Sequence, residues 1–348
     1  MATTTSVSEA LAYQASSCDA LGSPLYATLL RGLRADHDAG GLTADLLRDR
    51  TDRPVHDALA LRLLGGVHRI VLEGRAPALA AFYPSVGGIA TGDPTRTFLE
   101  VCEQHRDEVE ASLARNVQTN EVGRAAALVG GFTLVARRTR LPLRVREVGS
   151  SAGLLLNWDR YAYDTGRSRT GDPASPVRFE PSAWQTPPDL SGDCIVADRR
   201  GCDVNPIDPT SDDGRLTLLS FVWPDQGARF RRLRDALDVA TRHSVTIDAA
   251  DAGVWLEHEL AHRTPGLATV VHHSIVLQYL SPASLEHLRR ALRTAGERAT
   301  ADAPLAWLRM EPAGPVADIR LTTWPGAHEV VLGTTGYHGQ DVRWSLSD

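Results

Sequence analysis

The spacing of apolar residues predicts helices over the first third of the chain. Across Val55–Leu72 and again across Thr97–Leu113, apolar side chains recur at intervals of three and four residues, which is the repeat of one helix face. Between them, the FYPSVGG segment at residues 82–88 contains the Pro and Gly that mark a turn. No convincing strand precedes residue 143. We therefore predict an all-helical cap region over residues 1–116.

The pattern then changes, because short apolar runs begin to alternate with helical ones. This alternation predicts an α/β domain over residues 117–348, with helices packed on a mostly parallel sheet. Residues 162–193, rich in Gly, Pro, Asp and Ser, are predicted to be an insertion of loops or a β-hairpin. Five strands are expected at Leu143–Val148, Cys194–Ala197, Val245–Ile247, Ala268–His272 and Leu305–Met310. A tight turn entering a helix is expected at residues 150–161, and helices are expected at residues 215–241 and 282–295. Two or three closing strands follow, so we expect a seven-stranded sheet.

Composition and charge exclude several classes of function. Apolar residues make up 43% of the 348 residues, which is enough for a sizeable core. The formal net charge is -6, so there is no electrostatic reason to expect a nucleic acid as partner. The four cysteines are not spaced as CxxC, and no Cys/His cluster has the spacing of a zinc site, so no metal is expected.

The same sequence predicts a cytoplasmic protein. The first residues lack the basic start and apolar run of a signal peptide. No stretch approaches the roughly 18 apolar residues that span a bilayer, so no membrane partner is expected. Cysteines without a disulfide pattern favour a reducing compartment. A homodimer is compatible with the sequence.

The most informative segment is EVGSSAG, residues 147–153, which follows the first predicted strand. Glycine lets the backbone turn sharply and approach a ligand without a Cβ in the way. The G-x-x-x-G spacing falls short of the dinucleotide fingerprint. An acid two positions before the first Gly, here Glu147, is typical of methyltransferases, where it lies near the cationic methionine end of the cofactor. We assign Glu147, Gly149, Ser151 and Gly153 to cofactor binding; a tight turn without a ligand is the alternative.

Two acids follow later strands. Asp203 comes after the second predicted strand, where Rossmann units carry the carboxylate that binds ribose, although the insertion makes the spacing longer than the usual ~20 residues. Asp251 follows the third strand, where methyltransferases bind the adenine amino group. Asp198 and Asp248 are the respective rivals. Alternatively, each Asp caps a helix.

The candidate catalytic residues are His272, His273, Tyr279 and Glu121. His272 and His273 lie at the end of the fourth predicted strand, and ligands bind outside the carboxyl ends of such strands. Either histidine could act as a base near neutral pH. Side chains alternate across a strand, so one histidine should face the site, and His273 is closer to the expected strand end. A structural hydrogen-bonding histidine is the alternative.

Four further residues are candidates for substrate binding: Asn120, Arg124, Trp223 and Gln278. Asn120, Glu121 and Arg124 are polar groups at the start of an otherwise apolar helix, which predicts that this helix lies over the cofactor site. Pairing of Glu121 with Arg124 or helix capping would explain them without a ligand. Trp223 could offer an aromatic face to a sulfonium, although ordinary core packing explains it as well.

Eight segments together resemble the bacterial domain-of-unknown-function family 2332. They are GSPLYATLL, FYPSVGG, VQTNEVGRAAAL, EVGSSAGLLLNWDRY, RRGCDVNPIDP, FVWPDQ, VVHHSIVLQYL and TTGYHGQDVRW. The resemblance covers the chain from about residue 10 to 346. The C-terminal part is also similar to class I S-adenosylmethionine-dependent methyltransferases. That second resemblance implies a Rossmann-like fold and S-adenosylmethionine as cofactor.

We therefore expect an S-adenosylmethionine-dependent enzyme, with methyl transfer to a small molecule as its chemistry. Two alternatives stay open. One is a lyase or cyclase that releases methylthioadenosine and a small-ring amino acid from S-adenosylmethionine itself. The other is a non-catalytic binding protein on the same fold, because a fold does not fix a function.

Overall fold

The computed structural model describes residues 5–345, which form two units. The first unit contains the residues up to Thr119 together with Ser211–Arg231. The second contains Asn120–Thr210 and the residues from Arg232 onward. Residues 211–231 therefore belong to the first unit, whereas the prediction assigned them to the α/β region.

The first unit is helical around an apolar core. The helices before Thr119 are α1 (Val7–Ala20), α2 (Pro24–Asp38), α3 (Leu42–Leu47), α4 (Leu59–Leu72), α5 (Pro77–Ala80), α6 (Thr95–Gln104) and α7 (Arg106–Leu113). The helix predicted over Thr97–Leu113 is two helices, which meet at His105. The remaining helices of the chain are α8 (Ala125–Thr139), α9 (Asp212–Ser220), α10 (Gly227–Arg242), α11 (Ala252–Glu259) and α12 (Pro282–Glu297).

The second unit is built on a large, mostly parallel sheet. Its strands are β1 (Leu143–Val148), β2 (Ala162–Asp164), β3 (Arg169–Gly171), β4 (Arg178–Phe179), β5 (Trp184–Thr186), β6 (Val196–Asp203), β7 (Thr246–Ala249), β8 (Ala268–Ser274), β9 (Leu305–Ala313), β10 (Val316–Trp324), β11 (His328–Thr335) and β12 (Val342–Trp344). Among the described residues, nine of these strands form one sheet in the order β5-β12-β11-β10-β9-β8-β1-β6-β7. The strands β2, β3 and β4 form a small separate sheet within the predicted insertion.

The sheet confirms the α/β prediction in outline and differs from it in detail. β7, β6, β1, β8 and β9 are parallel, whereas β10, β11 and β12 follow β9 as an antiparallel meander. Nine strands replace the predicted seven, because the insertion contributes β5 and the chain end contributes three strands. The chain leaves β1 toward β6 on one side and later returns to β8 on the other. The carboxyl ends of β1 and β8 thus flank a topological switch point, where α/β sheets bind ligands.

Two elements differ from their predicted form, one because of charged side chains and the other because of backbone geometry. The second strand covers Val196–Asp203 rather than Cys194–Ala197, since its Arg199 and Arg200 are paired with carboxylates and tolerated in the sheet. The segment after β1 is a 3-10 helix over Leu154–Arg160 with a non-helical residue at Asn157, rather than an α-helix.

The central strand β1 has buried charged groups on both faces. Arg146 lies on the face of the sheet that α11 covers. Its guanidinium donates hydrogen bonds to Glu259 of α11 and to Asp198 of β6. Arg144 adds a second bond to the Glu259 carboxylate, at 3.0 Å. Glu147 points to the opposite face, because successive side chains alternate across a strand. The α11 face therefore contains a buried ion-pair network.

We predict that Glu259→Ala lowers the free energy of unfolding by about 3–5 kcal/mol, because the Arg144 and Arg146 guanidinium groups are then left to share the single carboxylate of Asp198. Glu257→Ala on the same helix is the matched control. Glu257 pairs with His287 in a largely exposed position, so its loss should cost about 1 kcal/mol or less. Urea denaturation measures both. Equal effects would show that the buried network does not stabilise the sheet.

Candidate functional site

The turn after β1 has a backbone that favours glycine. Gly149 and Gly153 both have φ of 69°, and Ser151 between them has φ of 52°. A Cβ at Gly149 would lie 2.6 Å from Cγ2 of Val276, and one at Gly153 would lie 2.7 Å from Cγ2 of Val245. Both glycines are thus required by the protein's own packing as well as by backbone conformation.

The N–H groups of this turn are used within the protein. The N–H of Ser150 donates to the Cys202 carbonyl, and that of Gly153 donates to the Ser150 carbonyl. The N–H of Ser151 donates to Asp203 at 2.8 Å, and that of Leu154 donates to Asn120 at 2.8 Å. A pyrophosphate would need such groups to be free. These four N–H groups are therefore not free to bind the phosphates of a dinucleotide.

Glu147 is a buried acid at the carboxyl end of β1. Its Oε2 has no hydrogen-bond partner among the described residues. Burial raises the pKa of the Glu147 carboxyl well above its usual range, and the nearby charge of Asp203 raises it further, whereas a hydrogen bond with the Ser150 side chain and the charge of Arg124 oppose this. A buried acceptor left without a donor is costly. Glu147 is therefore able to accept a hydrogen bond from a ligand.

His272 lies beside Glu147 on the same face of the sheet, because the two residues are partners in the parallel register of β1 and β8. The imidazole is fully buried, and neither ring nitrogen has a partner among the described residues. Burial lowers the pKa of His272 to about 3, so the ring is neutral at physiological pH. Its edge meets the Phe132 ring, which stacks on Trp158 at 4.3 Å. Trp158 Nε1 is also buried, and no described residue accepts a hydrogen bond from it.

His273 points to the opposite face and is fully engaged. Its Nε2 accepts a hydrogen bond from Trp307 Nε1 at 2.9 Å. An indole nitrogen only donates, so the ring proton is on Nδ1, which donates to Glu311 at 2.6 Å. Both nitrogens of His273 are thus occupied within the protein. Of the two predicted histidines, His272 is the one beside Glu147, although the strand end favoured His273.

The two predicted cofactor acids lie at the same edge of the sheet in different environments. Asp203 ends β6 and is half-buried; its oxygens accept the N–H groups of Ser151 and Asn205. Asp251 follows β7 and caps α11 by accepting the N–H groups of Gly253 and Val254. Helix capping, the alternative considered for Asp251, is therefore present.

Their rivals are held in ion pairs. Asp248 bonds to both Arg200 and Trp255, at 2.6 and 2.7 Å. Asp198 bonds to Arg146 on the other face of β1. Neither carboxylate shares the face of Glu147 and His272.

The predicted polar cluster before β1 lies beside the turn. Asn120 is buried, and its side-chain oxygen accepts a hydrogen bond from the N–H of Leu154. Arg124 donates to the carbonyl oxygens of Ser274, at 2.9 Å, and Tyr337, at 3.1 Å. Glu121 accepts the N–H of Gly123 at 3.0 Å. Arg124 thereby connects the start of α8 to the end of β8.

Three predicted residues are not part of the buried cluster around Glu147 and His272. Tyr279 is 65% exposed in the 3-10 turn after β8, and Gln278 beside it is also exposed. Trp223 belongs to the first unit and packs in its apolar core, as the alternative for this residue expected.

Comparison with known proteins identifies the family of this chain. Residues 8–344 match the family described as "Uncharacterized protein conserved in bacteria (DUF2332)". The chain belongs to this family. The family predicted from the sequence is confirmed, whereas the likeness of the C-terminal part to class I methyltransferases stays a prediction. No curated protein and no solved structure matches the chain significantly.

The DUF2332 chain contains further site residues that sequence reasoning missed. Trp158 and Phe132 place an aromatic stack beside His272. Glu311 engages His273, and Val276 covers Gly149. None of these has a motif of its own, because each is defined by a contact between distant parts of the chain. Within residues 5–345, no helix is long and apolar enough to cross a membrane, and no group of three His, Cys, Asp or Glu side chains could hold a metal ion.

The contact between Gly149 and Val276 predicts non-additive stability. Gly149→Ala should lower the free energy of unfolding by more than the 1–2 kcal/mol or so expected for a left-handed backbone alone, because its Cβ meets Val276. In a Val276→Ala background the contact is relieved, so the same change should cost about 1 kcal/mol less. A urea-denaturation cycle measures the difference. Strict additivity would mean that the two side chains do not compete for this space.

Proposed function

We propose that this protein is an S-adenosylmethionine-dependent enzyme with a Rossmann-like second unit, and that it methylates a small molecule. The observation that carries the proposal is the buried Oε2 of Glu147 at the β1/β8 switch point, which has no hydrogen-bond partner among the described residues. Bound S-adenosylmethionine would supply a methyl group activated by a positively charged sulfur. The protein's part is then to bind, orient and exclude water.

Glu147 suits a cationic ligand group. A positive charge nearby favours the ionised carboxyl over the neutral one. An ammonium group donating to Oε2 would satisfy the buried acceptor and lower the pKa that burial has raised. Glu147 would thereby bind the amino acid end of the cofactor.

Asp203 and Val204 suit a nucleoside. The Asp203 oxygens already accept backbone N–H groups, and each has a lone pair left for a ribose hydroxyl. Val204, the next residue, is 65% exposed, and Val254 after β7 is 58% exposed. These apolar side chains, at the edge that carries Asp203 and Asp251, would pack against the flat face of an adenine.

His272 suits a neutral hydrogen-bonding role. As an uncharged imidazole it has one donor and one acceptor nitrogen, and both lack partners in the structure. A pKa of about 3 makes it a weak base. We therefore assign His272 to holding the substrate beside Glu147, with proton transfer left to the acceptor's own chemistry.

Binding of S-adenosylmethionine should release a proton, up to one per ligand, because the ligand's charge drives Glu147 from its protonated to its ionised form. Calorimetry at pH 6 in two buffers of different ionisation enthalpy measures this number. S-adenosylhomocysteine has the same ammonium group and should behave alike, whereas NAD should not bind. Binding of NAD alone would overturn the proposal.

Glu147→Gln should abolish the proton release and weaken binding about 10- to 100-fold, the scale of a lost charge-assisted hydrogen bond. Glu257→Gln is the control, because this carboxylate is largely exposed and paired with His287. It should leave both the affinity and the proton count unchanged. Unchanged proton release in Glu147→Gln would assign the proton to another group.

The products distinguish the enzymatic alternatives. S-adenosylhomocysteine should form only when an acceptor is added, and His272→Ala should lower its rate per folded molecule. Mass spectrometry after incubation with S-adenosylmethionine alone is the decisive control, since methylthioadenosine formed without acceptor indicates a lyase or cyclase. Firm binding without either product, across a broad panel of acceptors, indicates a non-catalytic protein.

A further inference from the structure

The segment Ile275–Leu280 lies on the candidate cofactor turn. It follows β8 directly, and Val276 Cγ2 occupies the space that a Cβ of Gly149 would need. Val276 and Leu280 also pack against the apolar cluster that contains Val148 and Cys202. A ligand that approaches Gly149 closely would have to displace Val276.

One carboxylate holds this segment in place. Glu311 of β9 accepts the N–H of Val276 at 3.0 Å and the N–H of Leu277 at 3.4 Å. The same carboxylate accepts the Nδ1 proton of His273, whose other nitrogen is fixed by Trp307. Glu311 is thereby oriented by the sheet and bonds to the backbone of the segment.

The closed segment contains an unfavourable backbone conformation. Ile275 has φ of 56°, a region that β-branched residues rarely adopt. Its N–H donates to the Met310 carbonyl at 2.8 Å, which helps to hold this conformation. Backbone strain of this kind persists only where surrounding contacts enforce it. The segment is therefore held closed against a local cost.

We propose that Ile275–Leu280 is a gate over the Gly149 turn and that Glu311 is the positioning residue that latches it. Opening breaks the two bonds to Glu311, relaxes Ile275 and moves Val276 away from Gly149. The identity of the ligand that enters rests on the function proposed above, whereas the gate itself can be tested without a ligand.

A native thiol reports the opening. Cys202 is buried in the apolar cluster against which Val276 packs. Cys194 lies in the same unit, half-buried outside that cluster, so its alkylation rate is the reference for changes that are not confined to the segment. Alkylation of each cysteine by iodoacetamide, followed by peptide mass spectrometry, therefore separates gate opening from loss of structure.

Glu311→Ala should raise the alkylation rate of Cys202 at least tenfold and leave that of Cys194 unchanged. Asp318→Asn is the matched control. Asp318 is the register partner of Glu311 on β10 and has a similar exposure, but it bonds to Arg320 instead of the segment. It should leave Cys202 as protected as in the native chain. An unchanged rate in Glu311→Ala, or equal rises at Cys202 and Cys194, overturns the latch.

A second substitution should act in the opposite direction. Asparagine adopts a left-handed backbone at lower cost than isoleucine. Ile275→Asn should therefore slow the alkylation of Cys202, and it should partly restore protection when added to Glu311→Ala. A merely disruptive substitution would raise the rate instead, so a faster rate in Ile275→Asn contradicts the strained, latched gate.

Stopped-flow binding of S-adenosylhomocysteine connects the gate to ligand entry. Glu311→Ala should raise the association rate several-fold, because opening no longer limits entry. An unchanged rate for a ligand that binds, together with faster alkylation of Cys202, would show that the segment does not gate the site. If no variant binds this ligand while Cys202 responds as expected, the gate stands and the proposed cofactor is wrong.

Discussion

Two charged residues follow each other on the central strand, and the site depends on this arrangement. Arg146 and Glu147 are both buried on β1, but alternation sends them to opposite faces of the sheet, so they cannot neutralise each other. Arg146 finds Glu259 and Asp198 on its face. Glu147 has no equivalent counter-charge bonded to its Oε2, so burial favours its protonated form. A central parallel strand is normally apolar on both faces, and the exception lies at the switch point.

Hydrophobic periodicity predicted the parallel strands well where their side chains were apolar. β1 and the start of β8 agree with the prediction to the residue, and β9 differs only at its end. β6 was misplaced because Arg199 and Arg200 suggest a loop, and only the tertiary structure supplies Asp159 and Asp248 to pair with them. Local sequence contains no information about such distant partners.

The site could be predicted as a sheet edge but not as a set of contacts. Glu147, Gly149 and Asp203 follow from the strand order, because the carboxyl ends of parallel strands share one edge. Which of His272 and His273 faces the site does not follow from the strand order, because the alternation of side chains shows only that the two histidines face opposite sides of the sheet. The choice depends on the register with β1 and on Trp307 and Glu311, which come much later in the chain.

Gly149 shows why a glycine motif alone cannot identify a ligand site. A glycine is needed where any group approaches the backbone closely, and the group can be a cofactor or a side chain. In the structure it is Val276, on a segment held by Glu311 and strained at Ile275. The two interpretations need not exclude each other, because a side chain on a gate and a ligand behind it can occupy the same space in turn. The glycine motif is the same whether Val276 or a ligand occupies the space beside Gly149. Only the bonds from Glu311 to the segment therefore distinguish the closed state from the open one.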